Sequence, residues 1–243
     1  MVIMSASQAD HGGSIPLACS KIIMTFFYLK ERTGMKEINL ETWNRREHFN
    51  FFSQIVFPFY SLSFTLDVTN LYEYVKARNL SFYYSLIFLS SKVLNQIDAF
   101  KYRIREGKVY LIDDLIPSFT DLKAGSELFQ ITNVMLTDTM SSYCDACKKT
   151  VTSQKKFFPS LEEEQRDDYI YFSSVPWIPF TSITHEIDIN KDDSIPRITF
   201  GKYEKGNKKI TLPVSIQCNH RLVDGLHIGQ FYKALEAVIK DLQ

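Results

Sequence analysis

The chain has no charge bias, few cysteines and no apolar run long enough to cross a bilayer, and each shortage removes a class of function. Its 28 Lys and Arg offset 28 Asp and Glu, for a formal net charge of zero, so no bulk field draws it onto nucleic acid or an anionic membrane. Small molecules and further copies of the chain are the expected partners. Four cysteines, Cys19, Cys144, Cys147 and Cys218, are too few to staple 243 residues together, and a reducing cytoplasm is the expected compartment. The apolar stretch over 22–29 falls far short of the roughly 20 residues that span a bilayer. It has neither a convincing charged leader nor a cleavage site. No G-x-x-x-x-G-K loop occurs, which argues against a P-loop nucleotide enzyme.

What the chain does have is apolar and aromatic mass: 45% hydrophobic residues and 14% aromatics, with 19 Phe and 13 Tyr. That suits one large core with aromatic-lined pockets or subunit interfaces. Residues 1–34 begin polar and precede the regular patterning. They read as an N-terminal extension, a mis-assigned start or a poorly ordered segment, ahead of a domain over 35–243.

From Asn39 the run NLETWNRREHFNFF has helical spacing. SLSFTLDV alternates, which puts Leu62, Phe64, Leu66 and Val68 on one strand face, and Thr69 can cap the helix that follows. FYYSLIFLSSKVLNQ, apolar nearly all round, predicts a buried helix. YRIREGKVYLI predicts a hairpin about Glu106 and Gly107. TDTMSSYCDACKKTVTSQKKFF is again helical, with LEEEQRDD behind it as a charged linker. Ile198 and Phe200 begin a strand and KGNKK turns it. Ile210, Leu212, Val214, Ile216 and Cys218 then alternate on the way back, with His220 continuing the buried face by parity. After Gly225, the stripe Ile228, Phe231, Tyr232, Leu235, Val238, Ile239 and Leu242 marks a C-terminal helix. Hairpins mixed with packed helices predict an α+β fold, a layered α/β sandwich with a mixed sheet.

Cys144-Asp-Ala-Cys147 has the spacing of a metal or redox pair. Yet it falls inside a helical pattern with no second C-x-x-C and no histidine pair, so two thiols three residues apart read as one helix face and no metal is expected. His11 and His48 have no evident partner and read as solvent-facing or packing residues. His220 differs, because QCNHRLVDGLH places a histidine where a strand meets Asp-Gly and a helix. A junction of that kind holds an imidazole rigidly, which suits either a structural histidine or a general base.

QCNHRLVDGLH resembles the H-H-x-x-x-D-G-F-H signature of chloramphenicol acetyltransferases, and its H-x-x-x-D-G core is shared with dihydrolipoyl acyltransferases. WNRREHF at 43–49, SFYYSLIF, SSVPWIPFTS at 173–182 and GKYEKGNKKITLPVSIQ resemble further segments of the first family in the same order, from about Met35 to Gln243. The resemblance implies transfer of acetyl from acetyl-coenzyme A to a hydroxyl of chloramphenicol or a related acceptor, in a homotrimer with sites between subunits. It assigns His220 as general base, Ser173 as donor to the oxyanion, and Asp224, Arg45 and Asn219 as support. It assigns Phe51, Phe52, Phe129, Ile183, His185, Arg197 and Thr199 to the acceptor. Asn219 departs from the family's first histidine and Phe52 from its common tyrosine. Ser81 stands at a lysine associated with coenzyme A, and His185, Arg197 and Ile183 change the acceptor wall.

Two other readings remain open at this level. One is the acyltransferase core of a 2-oxoacid dehydrogenase complex, which the absence of a lipoyl domain or long linker ahead of the patterned region disfavours. The other is an inactive trimeric scaffold, prompted by Ser81 and Asn219.

Overall fold

The structure, a computed structural model, describes residues 34–243 apart from 124, 188, 189 and 191. The extension expected over 1–34 lies outside the described residues except for Gly34.

A small antiparallel sheet comes first, with β1 (Met35–Glu37), β4 (Lys108–Ile112) and β3 (Tyr102–Arg105) in that spatial order. Its β3–β4 hairpin turns where expected. Glu106 and Gly107 have φ of 51° and 76°, the two left-handed residues that a tight primed turn requires.

The large sheet runs β2 (Phe59–Asp67), β10 (Ile210–Asn219), β8 (Arg197–Phe200), β7 (Tyr169–Ser174), β5 (Ile116–Leu122) and β6 (Phe129–Asn133), with β9 (Glu204–Lys205) paired to β10. β7 is parallel to both β5 and β8 and the remaining pairs are antiparallel. The sheet is therefore mixed, and with packed helices the expected α+β class holds.

The helices are α1 (Arg46–Ser53), α2 (Thr69–Ala77), α3 (Phe82–Leu94), α4 (Asp98–Lys101), α5 (Met140–Ser153), α6 (Leu161–Glu164) and α7 (Gly225–Lys240). Nine of the 13 residues of α3 are buried, as its uniform apolarity predicts, and it packs against α2, α5, α7 and β5. Ser81 caps it, accepting from the Tyr84 amide at 3.3 Å. Phe231 and Leu235 of α7 are fully buried. No described helix is long and apolar enough to cross a membrane.

Strand β10 carries the argument toward the site. Its apolar parity, Ile210, Leu212, Val214, Ile216 and Cys218, is buried in the core. From Ser215 on the opposite parity is buried as well, where Ile183, His185 and Asp193 bond to it. Ser215 donates to the Ile183 carbonyl, the His185 amide donates to Gln217 Oε1 at 3.1 Å, and the Asn219 amide group donates to the Asp193 carbonyl at 2.8 Å.

Several local expectations are corrected. The helix expected from Asn39 starts only at Arg46. Residues 39–45 are held by turn bonds such as Thr42 N to Asn39 O and Arg46 N to Trp43 O. Thr69 does not cap α2; it is the first helical residue, and its hydroxyl donates to Asp67 and accepts from the Ile210 amide. Leu62 is exposed, although it shares the expected strand face. LEEEQRDD is no linker: Ser160 and Glu163 form a capping box on α6, and Asp167 and Asp168 pair with Arg105 and Arg166. Cys144 and Cys147 are buried on α5, where burial pushes both thiols up, Cys147 to about 12. A thiol held neutral in this way is a poor nucleophile. Finally, β10 ends at Asn219, so His220 leaves the buried parity and its side chain is 33% exposed.

Candidate active site

His220 is held from several sides. Its amide donates to the Pro58 carbonyl at 2.7 Å and its carbonyl accepts from Arg45 Nη2 at 3.0 Å. The ring stacks on Phe52, with centroids 4.0 Å apart and planes 16° apart, and Tyr60 closes on it at 4.5 Å. Nδ1 is buried 3.2 Å from Asp224 Oδ1 but out of line for a hydrogen bond. Nδ1 is thus the enclosed nitrogen, while the side chain as a whole is 33% exposed.

Behind the ring, Arg45 grips Asp224 through both guanidinium nitrogens, Nη2 at 2.6 Å from Oδ1 and Nη1 on Oδ2. Arg45 Nε also donates to the Arg221 carbonyl at 2.8 Å. Hydrogen bonding from Arg45 holds the Asp224 carboxyl below the usual aspartate range. Asp224 also begins α7, where its amide donates to His227 Nδ1 at 2.9 Å. A planar fork suits this bidentate grip and also spans two backbone carbonyls and one carboxylate at once. Arg45 and Asp224, the residues expected to support the site, are thus paired behind the ring. Asn219, fully buried, braces the same turn by accepting from the Arg221 amide at 3.1 Å.

Ser173 lies elsewhere. It pairs in register with Thr199 on β8, and Thr199 pairs with Ser215 on β10, five residues before His220. With a strand spacing of about 4.8 Å and a rise of about 3.3 Å per residue, His220 and Ser173 of one chain are about 20 Å apart. Ser173 Oγ accepts from Thr120 at 3.4 Å and lines a cavity of about 880 Å³.

The residues expected around the acceptor divide in the same way. Phe52 stacks on His220 and Phe51 packs edge-on against Phe52. Phe129, Ile183, His185, Arg197 and Thr199 all line the Ser173 cavity. His185 Nε2 lies 3.2 Å from Thr199 Oγ1, and burial lowers its pKa. Arg197 reaches the cavity with its charge already paired, Nη2 to Asp193 Oδ2 at 2.7 Å. Sequence reasoning missed Tyr60, Thr120 and Trp177. Strand register was the signal for Tyr60, which pairs with Cys218 across β2 and β10.

A family model for chloramphenicol acetyltransferase matches residues 34–236. The chain belongs to that family. Chloramphenicol acetyltransferase 2 of Escherichia coli is 28% identical over 209 residues, covering 84% of this chain and 97% of its own. A solved chloramphenicol acetyltransferase superposes with a TM-score of 0.78 at 23% identity, covering 84% of this chain and 99% of that one. The Azotobacter vinelandii dihydrolipoamide acetyltransferase shares the fold more distantly. Its TM-score is 0.61 at 15% identity, with 80% of this chain and 86% of that chain covered.

Proposed function

We propose that this member of the chloramphenicol acetyltransferase family transfers acetyl from acetyl-coenzyme A to a hydroxyl of chloramphenicol or a related small acceptor. The observation that carries the reading is the setting of His220, an imidazole fixed at the backbone, stacked on Phe52 and with its side chain still 33% exposed. In this scheme His220 takes the acceptor's proton at Nε2 and the freed oxygen attacks the thioester carbon. Ser173 donates to the resulting oxyanion. Collapse of that intermediate expels the thiolate, which recovers the proton from the imidazolium.

The wide separation of His220 and Ser173 supports a homotrimer in which the base of one copy faces the cavity of the next. Phe51, Ile55, Val56 and Phe57 form an exposed apolar patch beside His220. On the cavity side Trp177 and Phe129, which line it, are also exposed. Two different exposed surfaces on one chain suit the head-to-tail contact that closes a ring.

The test mixes two inactive variants. His220→Ala and Ser173→Ala proteins are unfolded together in equal amounts, refolded, and assayed for free thiol release from acetyl-coenzyme A with chloramphenicol and other hydroxyl acceptors. Each mixed trimer then regains one intact site in three, and turnover returns to about a quarter of wild type. A mixture as inactive as its parts sinks the shared-site reading.

A further inference from the structure

Arg197 is the only arginine or lysine among the described residues that line the cavity, whereas Asp121, Glu127, Glu163, Glu164 and Glu186 supply carboxylates to the same wall. Its guanidinium is not free to meet a ligand. Nη2 is paired with Asp193, Nη1 donates to the Ile195 carbonyl at 3.1 Å, and the plane lies over Tyr171 with 5.4 Å to the ring centroid. Both partners of the pair are 13% exposed.

Asp193 is itself held in place from two sides. Its Oδ1 accepts from the Ile195 amide at 3.1 Å and its carbonyl accepts from Asn219. One residue earlier, Asp192 accepts from the buried Arg221 at 2.9 Å. The short segment is therefore pinned to the residues on both sides of His220 while its carboxylate cancels the cavity's one cation. What remains on the wall is acidic, and a partly enclosed acidic wall repels an anion.

We infer that Asp193 sets the acceptor class: by neutralising Arg197 it leaves the cavity open to uncharged hydroxyl compounds and closed to carboxylate-bearing ones. This rests on the cavity being the acceptor side of the proposed reaction. Asp193 touches no acceptor and acts through Arg197, so it is a specificity-determining residue and not a catalytic one.

Asp193→Asn isolates the charge, because an asparagine Oδ1 can still accept from the Ile195 amide and the backbone carbonyl that Asn219 holds is unchanged. Calorimetry on the full-length protein compares chloramphenicol with its analogue carrying a ring carboxylate in place of the nitro group. In Asp193→Asn the affinity ratio is expected to move toward the carboxylate by about ten- to a hundredfold, the worth of one charge-assisted hydrogen bond. Adding Arg197→Met should abolish that shift. The inference is overturned if Asp193→Asn leaves the ratio unchanged or binds neither compound, or if the shift persists without Arg197. The readout is binding, so it is separable from the reaction itself: thiol release retained in His220→Ala defeats the proposed base while leaving a charge-dependent shift intact.

Discussion

His220 sits in a web where backbone, ring faces and the supporting carboxylate are each tied to a named partner. Among the described residues, the Ser173 hydroxyl has one hydrogen bond, at 3.4 Å from Thr120, and opens on the broad cavity. Under the proposed function, the contrast follows from what each half would have to do. A general base must hold one geometry whatever acceptor arrives, since proton transfer depends on a heavy-atom distance within a few tenths of an ångström. An acceptor wall has to match one molecule and can change residue by residue. The departures follow that division in part. Phe52 keeps its ring against the imidazole and Asn219 still braces the turn beneath it, whereas Ile183, His185 and Arg197 recast the chemistry of the cavity wall.

The contrast is sharpest in paired substitutions. His220→Ala should lower acetyl-coenzyme A turnover by about 10²- to 10⁴-fold with the fold retained. Ser173→Ala should lower it by about 10²-fold, the effect of losing one oxyanion donor. Steady-state thiol release with matched circular dichroism reads both, and a Ser173→Ala enzyme of unaltered turnover removes the oxyanion role. Stability should divide differently. Arg45→Ala leaves Asp224 and two carbonyls without their donor and should cost about 2 kcal/mol, after allowance for partial exposure. Ser173→Ala should stay within about 0.5 kcal/mol of wild type. Denaturant titration at one fixed protein concentration tests this. Equal losses from both variants would mean that the two halves are equally rigid.

How much of this the sequence disclosed depends on how far apart the partners lie along the chain. The His220–Asp224–Gly225 junction was readable because strand parity, the Asp-Gly break and the helical stripe all fall within a few dozen residues. Elements with a strong local signal, such as the uniformly apolar α3 and the Glu-Gly turn of the β3–β4 hairpin, were readable for the same reason. Residues 39–45 show the opposite. Their spacing suits a helix, yet Arg45 is drawn out to His220, Arg221 and Asp224, more than 170 residues away. LEEEQRDD read as a charged linker because Arg105, the partner of the Asp167 carboxylate, lies 62 residues upstream. Ser173 has no local signal at all and came only from the family resemblance. Tyr60 was hidden because its approach to His220 depends on the β2–β10 register, and Asp193 because it reaches Asn219, 26 residues away, from irregular chain.

The smallest expected effect also separates the halves, because each holds one histidine below its ordinary value of 6.5. On the base side burial, with Arg45 nearby, depresses His227, whose Nδ1 must stay unprotonated to accept from the Asp224 amide. On the cavity side burial depresses His185, which lies among Thr199, Arg197 and Glu186. A depressed folded pKa means that the unfolded chain binds more protons, so this stability is complete above about pH 6.5 and is lost as pH falls below it. Asp224, depressed by Arg45, adds a second loss only below its own ordinary value of 3.8. The thermal midpoint should therefore fall by a few degrees between pH 7.5 and 5.5, on the scale of about 2–4 °C per kcal/mol for a chain of this size. His227→Asn keeps an acceptor for the Asp224 amide and removes one titration; His185→Asn removes the other. If His227→Asn alone flattens the profile, the rigid base side is the proton-sensitive one. If His185→Asn alone does so, protonation acts first on the acceptor wall, and acceptor affinity should weaken at mildly acidic pH before the His220 turn loosens.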